Sequence, residues 1–315
     1  MAQSRTRSKP AGARPRTLPK KILVAVDAGK LSDHAIRAAL DLAVEFGAEL
    51  DLVHAFGTPA MFWEAALDPR DVAAARDPFT RAEAAVIAHV ARVLGPANGG
   101  RQRATELVRV IPGRPAEVIL DRAKKRKADL IVLGALRRER AVDFGGTSRN
   151  ILAGASCPVW VQPGPRRAIK SILVPVDLSG ESLLALAVAT DLARAFGASI
   201  TALHVFDSPR MTTVPWDGYG PGLDLGLVRK STREAFQKAV AKHDWKGVRH
   251  AARFVDGSPA SEIRRRAKSA DLVAMGTHGR TGFSALLLGS VAYDVLKHAT
   301  RPVLVVRKPG RKFST

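Results

Sequence analysis

The feature that most constrains this chain is an internal repeat that spans nearly its whole length. The segment Ile22–Asp27 (ILVAVD) matches Ile172–Asp177 (ILVPVD) at an offset of 150 residues, and the match continues without a gap as far as Phe56 and Phe206. Three later segments recur in the same order, as GRPA and GSPA, as ADL twice, and as CPV and RPV. Because each half repeats the full length of a domain, the sequence predicts two similar domains in tandem.

The boundary between the halves falls in residues 162–167 (QPGPRR), where two prolines flank a glycine. Proline fixes φ and removes an amide donor, so neither a strand nor a helix continues through this stretch. We therefore expect domains at residues 18–163 and 168–309. A linker this short predicts that they pack together as an intramolecular pseudo-dimer, and it leaves open whether two chains also form a homodimer.

Strands and helices alternate within each half. In the second half, apolar runs predict strands at Ile172–Val176, Ser199–Phe206, Arg253–Val255, Leu272–Met275 and Val303–Val306. Helical periodicity predicts helices over Glu181–Phe196 and, approximately, Leu227–Lys242, Ala260–Lys268 and Ser290–Lys297. Parallel neighbours need such crossover helices, so the predicted fold class is α/β, with two tandem open five-stranded parallel sheets flanked by helices. Ligands of such sheets bind beyond the carboxyl ends of the strands, at the switch point in strand order.

The chain is strongly basic, with a net charge of +21. Its first 17 residues contain basic side chains among Ser, Pro and Gly but no acidic one, and such a segment is predicted to be disordered because it has little to bury. It is either a solvated tail or a non-specific tether to nucleic acid or an anionic surface.

Several classes of protein are disfavoured by what the sequence lacks. No apolar run is long enough to cross a bilayer, and the basic start has no apolar secretory core, so we expect a cytoplasmic protein without a transmembrane segment. The single cysteine, Cys157, has no partner for an internal disulfide and is expected to be a small buried hydrophobe. GxxxxGK[ST], GxSxG and HExxH motifs are also missing.

One loop in the second half has the residues that phosphate binding requires. The predicted strand Leu272–Met275 is followed by GTHGRTGF, and then Gly289–Ser290 opens a helix. Gly276 and Gly279 allow a tight turn that brings amides close to an anion. A helix start adds unpaired amides and the positive end of the helix dipole. Two anion-binding elements are thus predicted to converge on one loop.

The spacing Gly276, two residues, Gly279, nine residues, Gly289–Ser290 resembles the nucleotide-binding signature of the universal stress protein family, in its ATP-binding branch. The resemblance covers nearly all of both halves. It implies that ATP binds with Mg²⁺ in the second domain, with the strand-end aspartate and second-strand valine on adenine and ribose, and the glycine loop and its serine on the phosphates. The implied contact residues are Pro175, Val176, Asp177, Val205, Met275, Gly276, His278, Gly279, Arg280, Gly289, Ser290 and Val291.

The first half departs from this signature. Its equivalent stretch, from Gly134 to Gly145, is two residues shorter, and the arginine-rich segment 137–140 (RRER) replaces the central glycine. Gly146 stands in place of the serine, and Ala25 in place of Pro175. We expect the first domain to be a structural partner, with an anion held by the arginines as the alternative.

Other candidate residues favour structural roles. His54 and His204 end equivalent strands, but neither has a second metal ligand nearby in sequence, so both are expected to be packed structural histidines. Asp177 precedes a helix start and is better suited to bind a ribose or cap the helix than to act as a base. We therefore predict no catalytic residue and no metal ligand from the chain.

Three functions are weighed. The first is a regulatory protein of the stress response that binds ATP in its second domain and controls partners or its dimer state through occupancy. The second is a slow ATPase or phosphotransferase using the same site, for which His278 and Asp177 are the bases near in sequence. The third is a nucleotide-independent module that binds through its basic surface.

Overall fold

The computed structural model of the chain describes residues 18–27, 31–57, 69–134, 137–138, 141–142, 146–208, 224–277 and 288–307. The first half contains β1 (Lys21–Ala25), α1 (Leu31–Phe46), β2 (Glu49–Phe56), α2 (Pro69–Leu94), a 3₁₀ turn (Pro96–Asn98), α3 (Gly100–Leu107), β3 (Val108–Pro112), α4 (Pro115–Arg126), β4 (Leu130–Gly134), β5 (Arg137–Arg138), β6 (Ala141–Val142), α5 (Gly146–Gly154) and β7 (Val159–Gln162). The second half contains β8 (Ser171–Pro175), α6 (Gly180–Phe196), β9 (Ser199–Phe206), α7 (Leu225–Lys242), β10 (His250–Asp256), α8 (Pro259–Ala267), β11 (Leu272–Gly276), α9 (Ser290–Lys297) and β12 (Val303–Val306).

The strands and helices expected in the second half are confirmed, and their local causes are visible. Ser179 caps the start of helix α6, because its Oγ accepts a hydrogen bond from the Ser182 amide at 3.2 Å. It ends at Gly197, which adopts φ 64° and so terminates the helix in the left-handed conformation that glycine tolerates. Helix α8 starts with Pro259 in its first turn, where a missing amide costs nothing.

The α/β architecture is also confirmed, but the two expected sheets are joined into one. The strand order of this ten-stranded sheet is β10-β9-β8-β11-β12-β7-β4-β1-β2-β3, and its pairing is parallel within each half. Strands β5 and β6 form a separate antiparallel ribbon. At the centre, β7 and β12 pair antiparallel, with Trp160 opposite Leu304. Each five-stranded sheet would otherwise leave its last strand with unpaired backbone groups, and this pairing satisfies them.

Helices cover both faces of the joined sheet. Successive strand residues point to opposite sides, so each strand contributes apolar side chains to both faces. Ile22 and Val24 of β1 belong to a core that includes α1, α2, α6 and α7, whereas Leu23 belongs to a second core with α4, α5, α8 and α9. Equivalent helices of the two halves therefore lie on the same face. None of the helices that the structure describes has the length and apolar character needed to span a membrane.

The two halves contact each other through the linker as well as through the sheet, forming an intramolecular pair. The half-buried Arg166 lies 2.6 Å from Glu45 of α1 and 5.8 Å from the ring of Phe196 at the end of α6. On the opposite face, Arg149 of α5 donates a hydrogen bond of 2.6 Å to the Tyr293 hydroxyl of α9. The expected basic tail, residues 1–17, lies outside the described residues.

Candidate functional site

A cleft of about 280 Å³ opens at the carboxyl ends of β8, β9 and β11. Strand β8 lies between β9 and β11, so the cleft occupies the switch point at which parallel sheets bind ligands. Nine of the twelve residues singled out in the sequence line it, namely Pro175, Val176, Asp177, Val205, Met275, Gly276, Gly289, Ser290 and Val291. The other three, His278, Gly279 and Arg280, lie outside the described residues.

The sequence interpretation missed part of the lining. Leu203, Pro259 and Ile263 add to an apolar wall that already contains Val176 and Met275. Pro259 belongs to the repeated GSPA segment, and that recurrence was the available signal for this part of the wall.

Asp207 was also missed, and it brings a second carboxylate to the cleft. It directly follows β9, and Asp177 stands two residues beyond the end of β8. The equivalent residue of the first half is Gly57, so this carboxylate belongs to the second half alone.

The Asp177 carboxylate is held by the start of α6. Its Oδ1 accepts hydrogen bonds from the Ser179 amide at 3.0 Å and from the Ser179 hydroxyl at 2.6 Å. Asp177 was expected either to contact a ligand or to cap the helix. The capping role belongs to Ser179, because the residue directly before the first helical turn is the one whose side chain reaches the free amides. Asp177 instead orients that serine.

The glycine at the end of β11 permits close packing of the sheet on α6. A Cβ at Gly276 would lie 3.0 Å from the Glu181 Cβ and 3.1 Å from the Glu181 carbonyl carbon. The next residue, Thr277, is buried and donates a hydrogen bond of 2.5 Å from its hydroxyl to the Glu181 carboxylate. The Gly289 amide donates to the Thr277 carbonyl at 2.9 Å. Thr277 and Gly289 are therefore fixed next to each other, and Thr277 is also fixed to α6.

Helix α9 begins at the edge of the cleft without a side-chain cap. Gly289 occupies the position before the first turn, and no side chain of the described residues caps the helix there. The first intrahelical bond runs from the Tyr293 amide to the Gly289 carbonyl at 2.8 Å, so the amides of Ser290, Val291 and Ala292 precede the helical ladder. Amides of this kind, together with the positive end of the helix dipole, favour an anion.

The equivalent stretch of the first half contains a short β-ribbon. Arg137–Arg138 and Ala141–Val142 pair antiparallel as a two-stranded ribbon, in the segment that replaces the glycine loop. Asp27 is retained, and its Oδ1 accepts a hydrogen bond of 2.6 Å from Ser32 of α1. A serine thus holds the strand-end aspartate in both halves, although by the 150-residue offset Ser32 corresponds to Ser182 and not to Ser179.

The matched histidines have the structural role expected of them. His54 Nδ1 donates to the Val26 carbonyl at 2.9 Å, and His204 Nδ1 donates to the Val176 carbonyl at 2.7 Å. His204 is buried and stacks on Phe254 with ring centroids 5.2 Å apart. Each histidine therefore ties together the ends of two adjacent strands.

Among the residues that the structure describes, neither a thiol nor a preformed metal site contributes to the cleft. Cys157 is buried as expected, and burial raises the pKa of its thiol to about 12, so it stays protonated. Within the part of the chain that the structure describes, His, Cys, Asp and Glu side chains form no group of three or more able to hold a metal ion.

Comparisons with known proteins agree with this architecture. Residues 19–163 and 168–307 each match the Universal stress protein family. A universal stress protein of Mycolicibacterium smegmatis is 30% identical over 301 residues, which cover 91% of this chain and 96% of that protein. One from Methanocaldococcus jannaschii is 39% identical over 145 residues, covering 45% of this chain and 85% of the relative.

The fold likewise matches a solved structure. The crystal structure of a universal stress protein from Archaeoglobus fulgidus superposes with a TM-score of 0.66 at 18% identity, covering 92% of this chain and 99% of that one. The chain therefore belongs to the universal stress protein family, as a member with two such domains in tandem.

Proposed function

We propose that the second domain binds ATP with Mg²⁺ and that occupancy of this site regulates the protein's conformation, its partners or its dimer state during a stress response in the cytoplasm. One observation carries the proposal. A single cleft combines an apolar wall, two carboxylates and an uncapped helix start. These are the three environments that a base, a ribose and a triphosphate require.

Electrostatics supports one orientation of the nucleotide. Asp177 and Asp207 follow β8 and β9, whereas the start of α9 lies on the β11 side of the cleft. Phosphates are repelled by carboxylates and attracted by free helical amides. We therefore propose that the ribose hydroxyls face the two aspartates and that the phosphates face Gly289, Ser290 and the glycine loop. The base would then contact the apolar wall that includes Val176 and Met275.

The residues of the cleft suit an Mg²⁺ ion that enters already bound to the nucleotide. The described residues offer no cluster of three metal ligands, and Mg²⁺ in nucleotide sites is commonly held by phosphates and water with only one or two carboxylates. When bound, the ion would neutralise phosphate charge. The chain's own contribution is the helix start and the glycine-framed loop.

The proposal assigns one nucleotide to each chain. The first domain has an arginine ribbon in place of the glycine loop and Gly57 in place of Asp207. It therefore lacks the second carboxylate and the glycine-framed segment, and we propose that it serves as a structural partner through the β7–β12 pairing.

Calorimetric titration of the full-length chain with MgATP tests this proposal, and the duplication supplies a matched control. Asp177→Asn is expected to weaken ATP binding about tenfold or more, because a hydrogen bond to a charged group contributes about 1.5–3 kcal/mol. Asp27→Asn, the same change in the first half, is expected to leave affinity unchanged. Two ATP per chain, or equal effects of both variants, would contradict the proposal.

A further inference from the structure

A second cleft lies in the same domain, at the other ends of α8 and α9. Its volume is about 330 Å³, and Val273, Val295 and Val303 form part of an apolar floor. The two clefts share no lining residue: α8 contributes Pro259 and Ile263 to the first cleft and Ser261, Arg264, Arg265 and Ala267 to this one, whereas α9 contributes Ser290, Val291 and Ala292 to the first cleft and Val295 to this one. The two clefts are therefore separate sites along one pair of helices.

The rim of this cleft is basic. Its basic side chains are Arg264, Arg265, Lys268, His298 and Arg301. Two of the arginines pair with carboxylates, one 3.3 Å from Asp294 and the other 2.6 Å from Glu262. Among the described residues, neither Lys268 nor Arg301 forms an ion pair with a carboxylate. Arg301 makes only a long contact of 3.5 Å with the Lys268 carbonyl. Two positive charges at this cleft thus have no carboxylate partner in the described part of the chain, and both follow the C-terminal ends of α8 and α9, where the helix dipole is negative.

The first half shows that the fold does not need most of these charges, although Lys124 occupies the position of Lys268. By the repeat, Leu120, Gly154 and Cys157 occupy the positions of Arg264, His298 and Arg301. Leu120 packs so closely on Gly154 that its Cδ1 lies 2.6 Å from where a Cβ would stand, and Cys157 is buried. In the first half these positions are apolar and tightly packed, whereas in the second half they are basic and border a cleft.

We propose that the α8–α9 cleft is an anion site that binds a small phosphate monoester with an apolar body. A phosphate monoester carries a charge of about −1.5 to −2 at neutral pH, which matches the charge of Lys268 and Arg301, the two cations without a carboxylate partner in the described part of the chain. Lysine and arginine donate charge-assisted hydrogen bonds to phosphate oxygens. The valine floor accepts the apolar part of the ligand, and the small volume selects a single compact molecule.

Phenyl phosphate is a suitable probe, titrated calorimetrically into the full-length chain with and without saturating MgATP. Lys268→Gln combined with Arg301→Gln is expected to weaken phenyl phosphate binding about tenfold or more, since two charge-assisted contacts are lost. The matched control, Lys124→Gln with Lys127→Gln, removes the same charge from the exposed end of α4 and is expected to leave affinity unchanged. Benzyl alcohol, which lacks the charge, is expected not to bind.

A second variant tests the site without relying on charge removal alone. Arg264→Leu with His298→Gly copies the first-half pair Leu120 and Gly154, so it is expected to close the cleft and abolish phenyl phosphate binding while MgATP affinity is retained. The proposal is overturned if the α4 control weakens phenyl phosphate binding as much as the Lys268 and Arg301 changes do, or if benzyl alcohol binds as tightly as phenyl phosphate. It is also overturned if MgATP displaces phenyl phosphate while the Lys268 and Arg301 changes leave phenyl phosphate affinity intact.

Discussion

The sharpest test of the candidate nucleotide site is the substitution Ser179→Ala. The Ser179 hydroxyl accepts a hydrogen bond from the Ser182 amide at 3.2 Å and donates one of 2.6 Å to the Asp177 carboxylate. One hydroxyl thus caps α6 and fixes a carboxylate that lines the cleft. Removing it is expected to affect both the stability of the domain and the affinity for the nucleotide.

The magnitude follows from the two contacts. Replacing a capping serine with alanine costs about 1 kcal/mol, and the lost hydrogen bond to Asp177 adds about 1 kcal/mol. We therefore expect the free energy of unfolding to fall by about 2 kcal/mol. If the free energy of ATP binding also loses about 1 kcal/mol because the Asp177 carboxylate is no longer held in position, ATP affinity falls about fivefold.

Urea unfolding followed by circular dichroism measures the first effect, and calorimetric titration with MgATP measures the second. Ser258→Ala is the matched control, because Ser258 precedes α8 in the same domain but its side chain makes no capping hydrogen bond. It is expected to change stability by less than about 0.5 kcal/mol. Ser179→Thr keeps the hydroxyl and is expected to restore most of both properties. Equal destabilisation by Ser179→Ala and Ser258→Ala would refute the assigned capping contact, and unchanged ATP affinity would refute the role of Asp177.

Three further outcomes are expected. Gly276→Ala places a Cβ 3.1 Å from a backbone carbon of α6 and should lower the free energy of unfolding in urea by about 1–3 kcal/mol, whereas Gly180→Ala, with open space around it, should not. Burial raises the Cys157 pKa from 9.0 to about 12, so the folded state keeps a proton that the unfolded state releases. Its stabilising contribution is therefore complete below about pH 9 and lost as the pH approaches 12, and the thiol should react with a disulfide reagent at pH 8 only after unfolding. Arg166→Gln breaks the contacts with α1 and should cost about 1–2 kcal/mol in the same urea assay, whereas the same change at the exposed neighbour Arg167 should cost little.

Much of the architecture was predictable because its causes are local in sequence. The limits expected for Ser199–Phe206 and Ser290–Lys297 coincide with those of β9 and α9. Apolar runs, a capping serine, and a glycine placed where φ becomes positive all act within a few residues. The repeat extended the same interpretation to the first half, since equivalent segments form equivalent elements.

The candidate site was predictable where its residues belong to a recognisable sequence segment. The nine described positions singled out in the strand ends and the glycine-framed segment line one cleft, and their contact with a nucleotide stays a prediction. Asp207, Pro259 and Ile263 were missed because they come from the β9 and β10 connections, which approach the cleft only after the sheet has formed. No spacing rule within the glycine-framed segment points to them.

The sequence by itself determined that two copies of one α/β unit lie in tandem and that only the second keeps the glycine-framed loop. Tertiary structure alone decided that the two sheets become one through Trp160 and Leu304. It also decided that Ser179 rather than Asp177 caps α6, and that basic residues from two separate segments surround one cleft. The physical reason is the same in each case. Strand pairing, helix capping and the clustering of cations depend on which groups lie close together in space, and groups distant in sequence come close only after the chain has folded.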